Sequence, residues 1–421
     1  VKKFKKYLKR GLIALGMMIA ILLITNAVFI SIRGRLLEKK LEAIRTAGDP
    51  VSFPQLAQVA VPPVQNAAVF LSRAQASVEN ISKELYAVYT NEGFVDGRLS
   101  ENDLRAIESA LTASPDVIPL LRQAADCPEY DPQPDYTVDP QAFIANSLSR
   151  LGHLRAVIRF LAARVQLLVA QGDREEALQT CLCMIRLSRL FDREPSVIGF
   201  MVSLACRGVG IRAANSVLLS GPLLNSSHEA LDAELALHDS TEAYVHALKS
   251  ERVLGIESFQ QFRTMIWPSG AMFLSDECDY LDMITEQLEF ASRPFSDLIA
   301  AGLELKHQGQ IGVHFQLVLP ALMQCRKAND RIRAQMRCLR ILNAVHSRAD
   351  DGDKSEPMLA DLGLPPNATT DPFTGAPLRL QKTADGWLVY SMGENLQDDG
   401  GDLSERRDVG VGPNRTAKDD R

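Results

Sequence analysis

Three regimes of hydrophobic patterning succeed one another along the chain. The first is continuous: residues 11–32, GLIALGMMIAILLITNAVFISI, carry no formal charge. At about 1.5 Å per helical residue such a run crosses a bilayer core of roughly 30 Å. It is longer than the apolar region of a signal peptide and ends in Arg33-Gly34-Arg35 rather than at a small-residue cleavage site, so it predicts an uncleaved transmembrane helix. Residues 33–46 continue the helical pattern until Gly48-Asp49-Pro50 stops it.

The second regime, residues 47–311, is periodic at helical spacing. It is broken at Pro62-Pro63 and in CPEYDPQPDYTVDP, residues 127–140, whose prolines predict a linker or long loop. Ser100 with Asp103 three residues later has the form of a capping box. In residues 151–194, Gly172 predicts a left-handed helix stop, and Asp173 caps the next helix with Glu176 at its third position. Apolar residues then recur at Ala177, Leu178, Cys181, Met184, Ile185, Leu187, Leu190 and Phe191, which marks a buried helix face. This helical hairpin, with its GDREEAL segment, resembles one tetratricopeptide-type repeat. A solenoid needs about three copies to bury a continuous core, and one good copy is present, so the body reads as an irregular or tetratricopeptide-like helical domain. Residues 197–219 are apolar, but Arg207 and Arg212 near the middle predict a buried core helix rather than a second span. The stretch around Trp267 predicts a packed loop.

The third regime, residues 312–402, begins with a long helical pattern and then changes period. Pro372 and Gly375 frame a turn, 378–380 and 388–390 alternate as short strands, and Ala384-Asp385-Gly386 connects them. A lone hairpin is marginal in water, so Phe373, Leu380, Trp387 and Tyr390 are expected to pack on the helix at 318–345. Residues 403–421 show no apolar pattern and predict a disordered tail. The fold class that results is mainly α, with a transmembrane helix at one end and a small β-hairpin element at the other.

Charge sharpens the picture of the two ends. Residues 1–45 hold eleven Lys/Arg and two acids, leaving 35 basic against 50 acidic residues in the remainder, a formal charge of −15 there. Such a body argues against nucleic acid as a partner. Six bases and no acid stand in residues 1–10, against a net of +3 in 33–45, so the positive-inside bias favours a cytoplasmic N-terminus and an extracytoplasmic body. The seven cysteines include no CxxC pair, and the reading that suits them is as small buried hydrophobes.

From Val318 onward the chain resembles type IV pilin-like proteins, above all the headpiece of the major pseudopilin of type II secretion. The residues that carry the resemblance are Asp371, Pro372, Phe373, Gly375, Pro377, Tyr390, Ser391, Gly393 and the Asp398-Asp399-Gly400-Gly401-Asp402 cluster. It is similar also to a group of single-pass membrane proteins of planctomycete-type bacteria, in which a GDxEEAL-type hairpin comes earlier. The resemblance implies a helix followed by a two-strand ladder and a calcium loop. The segment LKRGLIALGMM lacks the Phe and Glu that follow a prepilin peptidase site, so pilus assembly is not implied.

Two constellations carry candidate chemistry. Asp398, Asp399 and Asp402 place three carboxylates within five residues between glycines, a density of hard oxygen ligands that suits calcium. The competing reading is a solvated acidic loop. His238, Glu242 and His246 recur at i, i+4 and i+8, one face of a continuous helix, but that separation is about 12 Å, too long for one metal ion. No HExxH, GxSxG or phosphate loop occurs, and Gly208-Val209-Gly210 lacks both a preceding strand and a third glycine.

The sequence thus points to a membrane-anchored extracytoplasmic protein of structural or protein-interaction type, with an envelope protein as partner and calcium as a candidate ligand. The alternative class is an envelope metal-dependent hydrolase whose residues converge only in three dimensions. Topology is directly testable. Protease added outside spheroplasts is expected to digest the body and spare an N-terminal fragment; protection of the body until lysis would reverse the orientation.

Overall fold

The computed structural model describes residues 2–57, 59–91, 93–94, 97–265, 270–302, 313–350, 352, 356–404 and 407–413. Trp267, His307, the 311/312 boundary and residues 414–421 of the expected tail lie outside them.

The anchor and its extension are one helix, α1 (Lys2–Thr46), about 68 Å long at 1.5 Å per residue. Among the described residues its apolar part packs against nothing, and it is long and apolar enough to span a membrane. Its distal end does pack: Leu37 and Ile44 are buried, and Lys40 pairs with Asp282. Gly48, at φ 77°, ends the helix as its sequence predicts. Asp49 then ties the exit to the body through Lys249 at 2.6 Å and Arg252 at 2.8 Å.

The body continues through α2 (Ala67–Glu84), the single turn α3 (Tyr86–Tyr89), α4 (Glu101–Ala113), α5 (Val117–Ala125), α6 (Pro140–Gln171), α7 (Arg174–Phe191) and α8 (Val197–Ser220). The capping box forms as expected: Asp103 N–H donates to Ser100 Oγ at 3.2 Å and Ser100 N–H to Asp103 Oδ2 at 3.1 Å. Gly172 closes α6 at φ 79°, and Asp173 accepts from Glu176 N–H at 3.2 Å to open α7. Helices α6, α7 and α8 each pack on the other two. Helix α8 also has the length and hydropathy of a membrane span, yet it is the core helix: Arg207 is buried and its guanidinium meets Asp192 at 2.5 Å. Its two glycines admit neighbours closely, since an added Cβ would lie 3.0 Å from Ile332 at Gly208 and 3.1 Å from Ile185 at Gly210. Residues 127–140 are a long loop, but a packed one. Tyr130 is buried and its hydroxyl donates to Glu194 at 2.7 Å, while Asn66 holds Asp131. All seven cysteines are free and buried.

After α9 (Asn225–Leu237), α10 (Glu242–Met265), α11 (Gly270–Glu289) and the short α12 (Phe295–Ala300) comes α13 (Val313–Asp350), which packs against α8, α9, α11 and the sheet. Arg326 on α13 is wholly buried. It donates to the carbonyls of Phe290 at 2.7 Å and Arg293 at 2.5 Å, and to Asp330 at 2.5 Å, so it holds the corner that leaves α11. That corner in turn receives the C-terminal element: Phe295 N–H and Ser296 N–H donate to the carbonyls of Pro372 and Phe373, at 3.0 and 2.8 Å.

The C-terminal element follows α14 (Pro366–Thr369). Strand β1 (Arg379–Thr383) pairs with β2 (Gly386–Ser391) through a tight turn in which Gly386 takes φ 135°. The expected hairpin is in fact three-stranded and antiparallel, in the order β1-β2-β3. The segment read as a disordered tail contributes β3 (Val409–Val411), paired Val389 to Val411 and Ser391 to Val409. Two buried valines, Val409 and Val411, were too short a pattern to read as a strand; burial of β3 on α13 stabilises it. Strands β2 and β3 lie on α13, and Phe373 packs edge-on against Phe295 at 5.8 Å. Tyr390, expected on that helix, instead faces the acidic loop, its hydroxyl donating to Asp398 at 3.2 Å, because successive strand residues point to opposite faces.

Removing Arg326 leaves buried Asp330 with only the more distant Arg333, at 3.9 Å, as a cation and takes the Arg326 donors from two backbone carbonyls. Arg326→Ala is therefore expected to destabilise the body by about 3–5 kcal/mol in chemical denaturation. The surface pair Arg105–Glu101 serves as the comparison, and Arg105→Ala should change stability by less than about 1 kcal/mol.

Candidate functional site

Asp371 opens the DPFTG turn and organises the C-terminal element. Its buried carboxylate accepts from Phe373 N–H at 2.8 Å, Ser391 Oγ–H at 2.7 Å, Thr374 Oγ–H at 3.1 Å and Met392 N–H at 3.2 Å. The turn and the end of β2 are thereby one unit. The acidic loop then folds over the sheet. At Gly401, φ 83°, an added Cβ would fall 2.4 Å from Leu388, so the loop backbone itself covers the strand.

The three candidate calcium ligands sit in that loop with partners of their own. Asp398 accepts from Gly400 N–H at 3.0 Å and Tyr390 O–H at 3.2 Å, and Asp399 from Asn395 at 2.8 Å. Asp402 accepts from Ser404 N–H and pairs with Arg407, both at 2.9 Å; these bonds hold its carboxyl below the usual range. The carboxylate at the centre of the loop is one the sequence reading did not single out, Asp408. It is buried, which raises its pKa, and accepts from Gly401 N–H at 2.7 Å and Asp399 N–H at 3.3 Å.

His238, Glu242 and His246 do not share a continuous helix. His238 caps the end of α9, and Glu242 begins α10. The break brings all three to one cavity of about 330 Å³ that also exposes Arg189, Asp192, Arg193, Arg207 and Arg333. Among the described residues, no group of three or more His, Cys, Asp or Glu side chains is placed to hold a metal ion. The cavity's arginines meet acids in turn: Arg207 meets Asp192, Arg193 meets Glu129, Arg333 meets Asp239 at 3.4 Å, and Arg189 approaches Glu234 at 3.8 Å. Burial, and then the charge of Arg207, pushes His238 down to about 4, and its Nε2–H donates to Glu234 at 3.3 Å. Burial lowers His246 as well.

A different place has the shape and charge of a binding site. Between α3, α6 and α8 lies a cleft of about 770 Å³, within the range of small-ligand and peptide pockets. Its walls are apolar along Ile158, Ala162, Val165, Val209 and Leu219, with Tyr86 and Phe94 at one side. Arg155, Arg159 and Arg212 line it; among the described residues none of the three has an acidic partner, and no Asp or Glu lines the cleft. Arg159 is held over the Tyr89 ring at 5.4 Å. Three unneutralised guanidinium groups against apolar walls, in a body of net negative charge, select an anionic guest with apolar character. The sequence reading missed this cleft, although a signal existed. Neither Arg155, Arg159 nor Arg212 has an acid three or four residues away to pair with on its own helix.

Compared with models of protein families, with curated proteins and with solved structures, the chain gives no significant match.

His238 supplies a pH prediction. Its folded pKa lies below the unfolded value, so the stability it contributes is present above about pH 6.5 and is lost as pH falls toward 4. The loss is expected to approach about 3 kcal/mol across that window. Urea midpoints at pH 7, 5.5 and 4.5 should fall less for His238→Gln than for the wild type, and equal slopes would exclude this histidine as the source.

Proposed function

We propose that this is a single-pass envelope protein, N-terminus inside, whose extracytoplasmic helical body binds a protein partner. The observation that carries the reading is the α3–α6–α8 cleft, into which three exposed arginines without an acidic partner among the described residues are gathered against apolar walls. The charge asymmetry between the first 45 residues and the remainder supports the orientation, and the bare apolar stretch of α1 supports the anchor. The C-terminal element, similar in its motif residues to a pilin-type headpiece, acts in this reading as a clamp on α13 rather than as a polymerising surface. The packing of the distal end of α1 on α11 supports a body held close to the membrane in this reading.

A photo-crosslinking residue at Leu219, inside the cleft, is expected to give a discrete protein adduct in intact cells. The same residue at Leu224, which is exposed outside the cleft, should not. No protein adduct at Leu219, or the same adducts from both positions, would sink the assignment of the cleft as the partner site.

A further inference from the structure

The cleft does not end at Tyr86. A second hollow of about 600 Å³ lies between α2 and α6, and Tyr86 lines both, so the two adjoin at α3. Tyr86 is 69% exposed, an aromatic side chain left uncovered where the hollows meet. Exposed tyrosines of this kind anchor protein interfaces at low entropic cost.

The lining also holds polar atoms without partners. Gln166 donates its amide N–H to the Phe94 carbonyl at 2.8 Å, and Asn215 donates to the Gly412 carbonyl at 3.1 Å; the amide oxygens Gln166 Oε1 and Asn215 Oδ1 are buried and unbonded. In the second hollow His153 Nε2–H donates to the Leu71 carbonyl at 3.3 Å, which leaves Nδ1 as an unbonded acceptor. Ser82 Oγ and Tyr89 Oη are likewise without partners. The groove therefore offers fixed acceptors along its wall and cations at one end. A fatty acyl chain has no donors for those acceptors, and a helix has free N–H groups only in its first turn. An extended peptide has an N–H at almost every residue. The acceptors are buried in this structure, so a guest that reaches them does so with side-chain rotamer changes, a common adjustment at interfaces.

We propose that the joined groove binds an extended, acidic segment of a partner protein, with carboxylates on Arg155, Arg159 and Arg212 and main-chain N–H groups on the free acceptors. This rests on the reading of the body as a protein-binding module and adds the chemistry of what is bound.

The test uses the purified full chain in detergent and fluorescein-labelled decapeptides that alternate Glu with Leu and Ser. Fluorescence anisotropy is expected to show saturable binding of the Glu peptide. Substituting Lys for Glu, or N-methylating alternate amides, should each weaken it at least tenfold. Arg155→Ser, Arg159→Ser and Arg212→Ser together should weaken it at least thirtyfold, while the triple Arg→Lys variant, which keeps the charge, should stay within about tenfold. Tyr86→Ala should cost at least tenfold. Equal binding of the Glu and Lys peptides, or indifference to N-methylation, would overturn the proposal. So would dodecanoate binding in the cleft with no peptide binding, which would assign it to an anionic amphiphile. A protein adduct at Leu219 together with failure of the Glu peptide would leave the binding module standing and remove the acidic, extended guest.

Discussion

A guanidinium with no contact to water, that of Arg326, sits where three parts of this protein meet. Burying a charge is costly unless it is paired and hydrogen-bonded, and here Asp330 one turn away and two carbonyls from the corner after α11 give each guanidinium nitrogen a partner. The corner cannot drift while those bonds hold. Its next residues, Phe295 and Ser296, present the N–H groups on which the DPF turn docks. The anchor reaches the same assembly from the other side, since α1 packs on α11. The N-terminal helix, the helical body and the C-terminal sheet are thus tied through one side chain that also lies near the Tyr244 ring, at 5.9 Å.

Other arginines on α13 extend the same logic along the helix. Arg337 binds Asp239 with two bonds of 2.8 Å and reaches the Thr370 carbonyl at 2.6 Å, and Arg340 grips Asp232 at 2.8 and 3.1 Å. These planar, two-pronged contacts fix α9 and the 238–241 loop relative to α13, which a flexible lysine would do less well. The three cleft arginines differ in being exposed, without an acidic partner among the described residues, and gathered on one concave wall. The contrast separates arginines that hold the fold from arginines available to a guest, and composition alone does not draw that line.

The C-terminal element shows how a small sheet becomes stable. Its strands are too few to fold alone, so one face lies on α13 and the other is covered by the acidic loop, pinned by Asp408 beneath it. Burial on both faces explains why Leu388, Val389, Tyr390 and Ser391 are all buried in succession, where a half-exposed strand would alternate.

Local rules made much of this legible from the sequence by itself. The uncharged run of residues 11–32, the stop at Gly172, the Ser100–Asp103 box and the Gly386 turn each depend on a few neighbouring residues; periodicity marked α7, and the two arginines within its apolar run marked α8 as a core helix. What only the tertiary structure decided involves partners far apart in the chain. Val409 and Val411 become a strand because β2 and α13 are there to receive them. His238 and His246 meet in a cavity because the helix breaks between residues 238 and 242. Arg155 and Arg212 face one cleft because α6 packs on α8. Local propensity is written residue by residue, whereas convergence depends on which helix lies beside which, and that is set by the packing of the whole core.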